Sequence, residues 1–503
     1  MSTPPNTISR EEGLVNPYER GSGSTRMDAR VLNVMLPVLL VLSACATNDV
    51  KSPVHAQMLG EAGYGFVSDS VGLSIESSTL AGDAKSLQVE EVARAFKSFR
   101  PGMVLRVGGN TSDEMFWTSK GEALPDGYRF RATPTGLQRL ATLTEALGWR
   151  VVMGVNLRSR DSARAADMVK HARAIFGDRL VSAAIGNEPN VYYPPNPPFG
   201  TYLSDVKRYS EAIRNEVSDI DIQAPDSSGN RYDFIWSSAS QFARSPSAAP
   251  SVYAAHFYGS RGCGSTTMDP SLLFSDFAYE ARDESLTDIS RAASIANSPK
   301  VVLSEANSVN CGGIAGVSNR LAGALWILDF ALDATTRGFN GIYFHGTLTD
   351  CIAYSPLCVG EDKKIGKGDT FKAMAVLNGL ANGMAMLQVV PAEKRDNLRI
   401  YGLKGNKSLA LVVINTGENV TDRVPVEVDL PGDGYVPLEE VEMSTEDESS
   451  QDGTRLSRKT TLRGVPPDLD SACGAGQKHE ELTRVAEVDS APASAKVLFF
   501  CEL

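Results

Sequence analysis

Two short stretches carry the residues best suited to bond chemistry, Ala184-Ile185-Gly186-Asn187-Glu188-Pro189-Asn190 and Val301-Val302-Leu303-Ser304-Glu305-Ala306-Asn307. Each closes an apolar run with a glutamate, and an acid at the rim of a core needs a reason to be there. Alone, Glu188 reads as a surface residue of a strand-to-helix loop, and Glu305 as a helix cap or salt-bridge partner. As a pair they suit cleavage of a glycosidic bond. One carboxylic acid protonates the leaving oxygen, and a second carboxylate attacks the anomeric carbon or activates water. Asn187, next to the acid, can hydrogen-bond a sugar 2-hydroxyl, and Pro189 fixes the backbone where the chain leaves the strand. Such chemistry calls for no metal and no organic cofactor, and no C-x-x-C or His/Cys cluster suggests a structural metal.

The elements that must hold these residues follow from the hydrophobic pattern. Short β-rich runs occur at Val71–Ser74, Met103–Val107, Val151–Asn156, Val181–Ile185, Asp221–Ala224, Val252–Phe257, Lys300–Ser304 and Gly341–Phe344. Several are nearly all apolar, as parallel strands buried on both faces are. Helical periodicity marks 89–99, 136–147, 161–176, 202–217, 231–243, 283–297, 318–337 and 369–382. This alternation predicts an α/β chain, a (β/α)8 TIM barrel over residues 71–382. A doubly wound sheet can be written from the same runs. The barrel is favoured because Glu76, Asn110, Asn156, Glu188, Asp226, Tyr258, Glu305 and His345 fall just past strand ends, where barrels build active sites. Glu188 then follows the fourth strand and Glu305 the seventh, facing each other across the mouth. A carboxyl separation of about 5 Å there predicts double displacement with retention.

Beyond residue 383 the texture changes to short alternating strands, at Met386–Val390, Leu398–Leu403, Ser408–Asn415, Arg423–Leu430 and Ala495–Phe500. Residues 383–503 are therefore expected to form an appended C-terminal β-sandwich, with 439–490 as a long acidic loop. Residues 1–50 read as an N-terminal targeting segment, because 31–46 form an apolar run short for a membrane span. The expected location is secreted or extracellular. The alternative is membrane attachment through 31–46, and Leu42-Ser43-Ala44-Cys45 also resembles a lipoprotein box. Of seven cysteines, the six after Cys45 suit disulfides in an oxidising compartment. Six cysteines allow about fifteen pairings. The preferred set joins Cys351 to Cys358, Cys473 to Cys501 and Cys263 to Cys311. A net charge of −12 argues against nucleic acid as a partner.

Four segments together resemble glycoside hydrolase family 79, the β-glucuronidase and heparanase-like family within the clan of retaining (β/α)8 glycosidases. They are Gly72-Leu73-Ser74-Ile75-Glu76-Ser77-Ser78, Leu105-Arg106-Val107-Gly108-Gly109-Asn110-Thr111, Gly186-Asn187-Glu188-Pro189 and Ser304-Glu305-Ala306-Asn307-Ser308. The resemblance implies Glu188 as general acid/base, Glu305 as nucleophile and Asn187 on the 2-hydroxyl. Tyr258 resembles the tyrosine that hydrogen-bonds the nucleophile in this clan. Glu76 and Asn110 would reach sugar hydroxyls, and a segment before the barrel, residues 51–70 here, would join the sandwich. A uronate carboxylate would be taken by loop N–H groups at Gly312 and by the Tyr354 hydroxyl. Asn310 stands where some members carry a tyrosine.

The implied activity is that of an exo-acting β-glucuronidase on β-glucuronides or uronate-containing glycans. The alternatives are another retaining β-glycosidase (β-glucosidase, β-xylosidase or a heparanase-like endo-glucuronidase) and a non-catalytic carbohydrate-binding protein. A heparan-type chain would want basic residues flanking the cleft. Arg158, Arg160 and Arg164 are the one tight group, and their spacing suits a solvated helix face.

Overall fold

The computed structural model describes residues 52–82, 87–193, 200–228, 232–360, 364–432, 434–445, 454–474 and 482–502. The expected targeting segment, including 31–46 and Cys45, lies outside the described residues.

Eight parallel strands close into a barrel in sequence order. They are β1 (Val71–Glu76), β2 (Val104–Gly108), β3 (Arg150–Val155), β4 (Leu180–Ile185), β5 (Asp221–Ser228), β6 (Val252–Ser260), β7 (Lys300–Val309) and β8 (Gly341–His345). Helices α1 (Val89–Phe96), α2 (Pro134–Leu147), α3 (Ser162–Phe176), α4 (Gly200–Glu216), α5 (Tyr232–Arg244), α6 (Asp276–Ile295), α7 (Leu321–Thr336) and α8 (Asp369–Leu380) alternate with them. All eight strands expected from sequence are present.

Period-two alternation sorts each strand between two cores. Leu105, Val107, Val151, Met153 and Leu303 pack outward against the helices. Val104, Val152, Ala184, Ala254, Val302 and Tyr343 face inward and fill the bottom of the lumen. Two residues further along the same inward rows stand Ser74, Arg106, His256 and His345, all buried. The lumen thus changes from an apolar floor to a polar upper layer at the strand ends.

The remaining strands form one mixed sheet. Its order is Thr460–Arg463, Tyr435–Thr445, Ser494–Glu502, Ser408–Asn415, Leu398–Lys404, Met384–Pro391, Val54–Phe66, Val424–Asp429, Val485–Ser490. Strand Val54–Phe66, which precedes the barrel in sequence, pairs antiparallel with Met384–Pro391 and parallel with Val424–Asp429. The sheet curls over, so that Val485–Ser490 meets Ser408–Asn415 and Ser494–Glu502 across a core of Val54, Leu411, Val413, Val426 and Val488. The stretch 439–490 differs from the long loop expected of it. Where described it contributes strand residues up to Thr445, the strands Thr460–Arg463 and Val485–Ser490, and a short helix at Leu469–Gly474. Its charged residues alternate with buried ones, so composition alone concealed the strands.

One face of the sheet packs against the barrel's helix α7. Ala410, Val412, Ile414, Val497 and Phe499 share one core with α7, which is buried almost all round. Within that seam Asp329 of α7 is fully buried, accepting from Arg282 Nη1 of α6 and from the Tyr401 hydroxyl of the sheet, each at 2.6 Å. Burial opposes its charge, but Arg282 and Arg399 nearby hold the carboxyl below its ordinary value. Among the described residues, disulfides join Cys263–Cys311, Cys351–Cys358 and Cys473–Cys501, the preferred pairing. They fit an oxidising, extracellular setting. No described helix is long and apolar enough to cross a membrane.

The seam yields a stability prediction. Asp329→Ala leaves buried Arg282 with Asp333 as its one remaining carboxylate among the described residues and removes the Tyr401 acceptor, and should cost about 3 kcal/mol. Tyr401→Phe removes one hydrogen bond and should cost about 1–3 kcal/mol. Urea unfolding measures both, and equal, small losses would show that the seam does not depend on this carboxylate.

Candidate active site

The four strand-end segments converge on Arg106. This side chain rises from the centre of β2 into the lumen and is 0% exposed. Its Nη1 donates to Glu305 Oε2 at 3.0 Å and to Ser74 Oγ at 2.9 Å, and its Nη2 donates to Asn187 Oδ1 at 2.8 Å. Nη2 also lies 3.4 Å from Asp226 Oδ1. Glycine follows at 108 and 109 for a steric reason. A Cβ at Gly108 would collide with the guanidinium, and one at Gly109, whose φ is +73°, with the Glu76 carboxyl.

Glu305 reaches the lumen through a break in strand parity. Ser304 and Glu305 are adjacent, yet both bond groups inside the barrel, Asp226 and Arg106 respectively. The pairing of β7 is irregular between Leu303 and Glu305 on one side and between Leu303 and Ala306 on the other. Such a bulge turns a second consecutive side chain to the same face. The Tyr258 hydroxyl then donates to Glu305 Oε1 at 2.7 Å. Burial alone would raise the Glu305 pKa, but His345, His256, Arg106 and the Tyr258 hydrogen bond together hold it well below the usual carboxylate range. Glu305 is therefore an anion throughout the neutral range.

Glu188 sits across the mouth at φ +44°, in the left-handed region. Its N–H donates to Asp226 O at 2.8 Å, and Asp226 is itself at φ +50°. Two neighbouring non-glycine residues in this region cost about 1–2 kcal/mol each, so the surrounding structure must impose them. His256 Nδ1 donates to Glu188 Oε1 at 3.1 Å, and its Nε2 lies 3.4 Å from Asp226 Oδ1. Burial opposes protonation of this imidazole, but Glu305, Asp226 and Glu188 raise its pKa to about 9. Ligand-capable atoms of Glu188, His256 and Glu305 all lie within 4.8 Å of one another. The same spacing brings the two glutamate carboxyls close to the separation of about 5–5.5 Å used for double displacement.

Most residues singled out from sequence meet in one cavity of about 780 Å³, namely Glu76, Asn110, Glu188, Tyr258, Glu305, Asn310, Gly312 and Tyr354. Asn187 lies buried beside it, with its Nδ2 donating to Asn110 Oδ1 at 3.2 Å. Asn310 is committed to loop structure, since its Oδ1 accepts from Gly262 N at 2.7 Å. The Gly312 N–H donates to the Tyr354 hydroxyl at 3.2 Å. Glu76 accepts from Thr111 N at 2.9 Å and lies 3.6 Å from His345 Nε2. Sequence reasoning gave no role to Arg106, Asp226, His256 or His345. For Arg106, His256 and His345 the signal was an ionisable residue at an inward position of an apolar strand, whereas Asp226 and His345 were placed at strand ends without a specific part to play.

Searched against family models, the chain matches none. It is 23% identical over 381 residues to a β-glucuronidase of Neurospora crassa, covering 66% of this chain and 67% of that protein. The chain is a homologue of a β-glucuronidase. Its fold is shared with a 4-O-α-L-rhamnosyl-β-D-glucuronidase from Fusarium oxysporum, with a TM-score of 0.61 at 16% identity over 89% of this chain and 100% of that one. A family 51 arabinofuranosidase from Xanthomonas axonopodis pv. citri has a TM-score of 0.66 at 13% identity, covering 89% and 99%. The homologue and the shared fold make this chain glycoside hydrolase-like.

The His256 contacts set a pH dependence. A folded-state pKa of about 9 against an ordinary 6.5 means its stabilisation is complete below pH 6.5 and lost as pH rises through about 9. Unfolding free energy measured between pH 6 and 10 should fall by on the order of 3 kcal/mol across that window. His256→Asn should be less stable at pH 6 and show a smaller fall, the remainder coming from His345, whose pKa, though burial opposes it, Glu305 and Glu76 also raise.

Proposed function

We propose that the chain is an exo-acting retaining β-glucuronidase. The observation that carries the reading is the close approach of Glu188 and Glu305, with Glu305 held as an anion by Arg106 and Tyr258. In the first step a Glu305 oxygen attacks the anomeric carbon as the glycosidic C–O bond breaks. Glu188 gives its proton to the departing oxygen, leaving a glycosyl ester and a free alcohol. In the second step Glu188, now a carboxylate, takes a proton from water. The water oxygen attacks the same carbon, Glu305 departs, and the β configuration is restored.

The supporting residues act on these two groups. His256 holds one Glu188 oxygen, leaving the other to face the leaving group. Arg106 and Tyr258 orient Glu305 and take up the charge that returns to it when the ester breaks. Asn187, oriented by Arg106 and Asn110, is positioned for the 2-hydroxyl. Glu76 and Asn110 are assigned to further sugar hydroxyls.

The glucuronide assignment rests on the homologous β-glucuronidase and on the recognition loop. The Gly312 N–H and Tyr354 hydroxyl already meet over the cavity and are suited to share a substrate carboxylate. Exo action is supported by rim loops fastened by Cys263–Cys311 and Cys351–Cys358, a walled site that suits a terminal sugar. Secretion accords with those disulfides.

Purified protein is expected to release p-nitrophenol from the β-glucuronide at least about tenfold faster than from the β-glucoside, and comparable rates would remove the uronate assignment. Glu305→Ala and Glu188→Ala should each lose roughly 10³-fold or more in kcat. Azide should restore Glu305→Ala with an α-glycosyl azide as product. Near-normal turnover by either variant would take that residue out of the mechanism.

A further inference from the structure

The acidic and basic side chains lining the cavity are Glu76, Glu188, Glu305, His256, His345 and Arg261. Two buried carboxylates, Asp226 and Glu305, and two partly exposed ones, Glu76 and Glu188, surround the buried Arg106, His256 and His345. Each His lies between two acids: His345 is 3.6 Å from both Glu76 and Glu305, and His256 contacts Glu188 and Asp226. Four carboxylates thus face one arginine and two histidines, so the lower site offers no surplus positive charge with which to attract an anion. Arg261 is the further cation lining the same cavity, and it is exposed rather than buried. Among the described residues it has no carboxylate partner.

The backbone position of Arg261 is fixed by its neighbours, while its side chain is exposed. It follows β6 directly, in Ser260-Arg261-Gly262-Cys263. Gly262 N donates to Asn310 Oδ1 at 2.7 Å, Asn310 N donates to Ser260 O at 3.1 Å, and Cys263 is bonded to Cys311. A Cβ at Gly262 would press on Asn310 O at 2.9 Å, so the two loops touch backbone to backbone. Arg261 is thereby held beside the segment carrying Gly312, whose N–H donates to the Tyr354 hydroxyl at the same cavity. Both of those are neutral donors, and neither compensates a full negative charge.

We propose that Arg261 is the specificity-determining cation of the site, supplying the counter-charge for the substrate's carboxylate. This rests on the β-glucuronidase reading above and adds to it the residue that separates an acidic sugar from its neutral counterpart. An exposed guanidinium with no competing acid has no internal ion pair to break when the carboxylate arrives. Two parallel N–H donors match the two carboxylate oxygens. The role is one of binding, so its loss should appear in KM more than in kcat.

The test compares wild type and Arg261→Gln on p-nitrophenyl β-D-glucuronide and on its methyl ester, which keeps the sugar and removes the charge. For the acid, Arg261→Gln should raise KM about tenfold or more, the loss of one charge-assisted hydrogen bond, with kcat within about twofold. For the ester, the two proteins should agree within about twofold. Added salt should raise the wild-type KM for the acid and leave that of the variant flat. An unchanged KM for the acid in Arg261→Gln would overturn this proposal while leaving the β-glucuronidase reading in place. Equal loss on acid and ester would also overturn it, since that would mark a general structural role. Failure of wild type to prefer the glucuronide over neutral glycosides would overturn the reading itself and this proposal with it.

Discussion

A guanidinium sealed inside a barrel governs the upper half of this protein. An unpaired Arg106 would carry a desolvation cost of several kcal/mol, so its surroundings must be built around it. Burial opposes its charge, but Asp226, Glu305 and Glu76 keep it more firmly protonated than an ordinary arginine. The same fork fixes Glu305 and Asn187, placing the proposed nucleophile and the proposed hydroxyl ligand from opposite strands in one frame. Asp226 extends the frame to His256, and His256 to Glu188. Both glutamates of the proposed mechanism are thus referenced to one cation.

That network could not be assembled from regular strands. Strict alternation gives each strand one inward residue in two, and β7 needs two in succession. The bulge at Glu305 supplies the second. On β5 the pairing slips between Pro225 and Ser227, and the left-handed backbone of Asp226 turns its carboxylate into the lumen. Glu188 adopts the same backbone region one strand away and bonds the Asp226 carbonyl. The local cost is tolerable because the barrel is closed and its outer helix α7 is packed against the sheet.

The parts of this arrangement that were legible in sequence are those that follow from periodicity. Eight apolar runs located eight strands, and strand counting put Glu188 and Glu305 on opposite sides of the mouth. Arg106 was in view within Leu105-Arg106-Val107-Gly108-Gly109, but one arginine in a strand does not say which acids it meets. Asp226 was hidden further, since alternation from Gln223 places it on the outer face until the bulge is known. Asn310 was read as a ligand on its position, whereas its carboxamide oxygen closes the contact between two loops. The strands of the acidic stretch escaped because Glu and Asp occupy their solvent face while Val441, Met443, Ala486 and Val488 fill the other.

The division between lumen and rim also separates two kinds of constraint. Lumen groups are coupled, so replacing one charge leaves another buried and unmatched, and the set can only change together. Rim groups such as Arg261, Asn310 and Tyr354 stand on loops that disulfides hold at their ends. Each can be exchanged without exposing a buried charge. A barrel of this kind serves many chemistries because its loops vary over a fixed base. In this chain the base is a coupled ion network built around Arg106, which on the proposed mechanism serves bond cleavage at an anomeric carbon whatever the sugar bears at its far end. Discrimination among sugars then falls, on the same proposal, to the rim, where Arg261 lines the cavity without a carboxylate partner among the described residues.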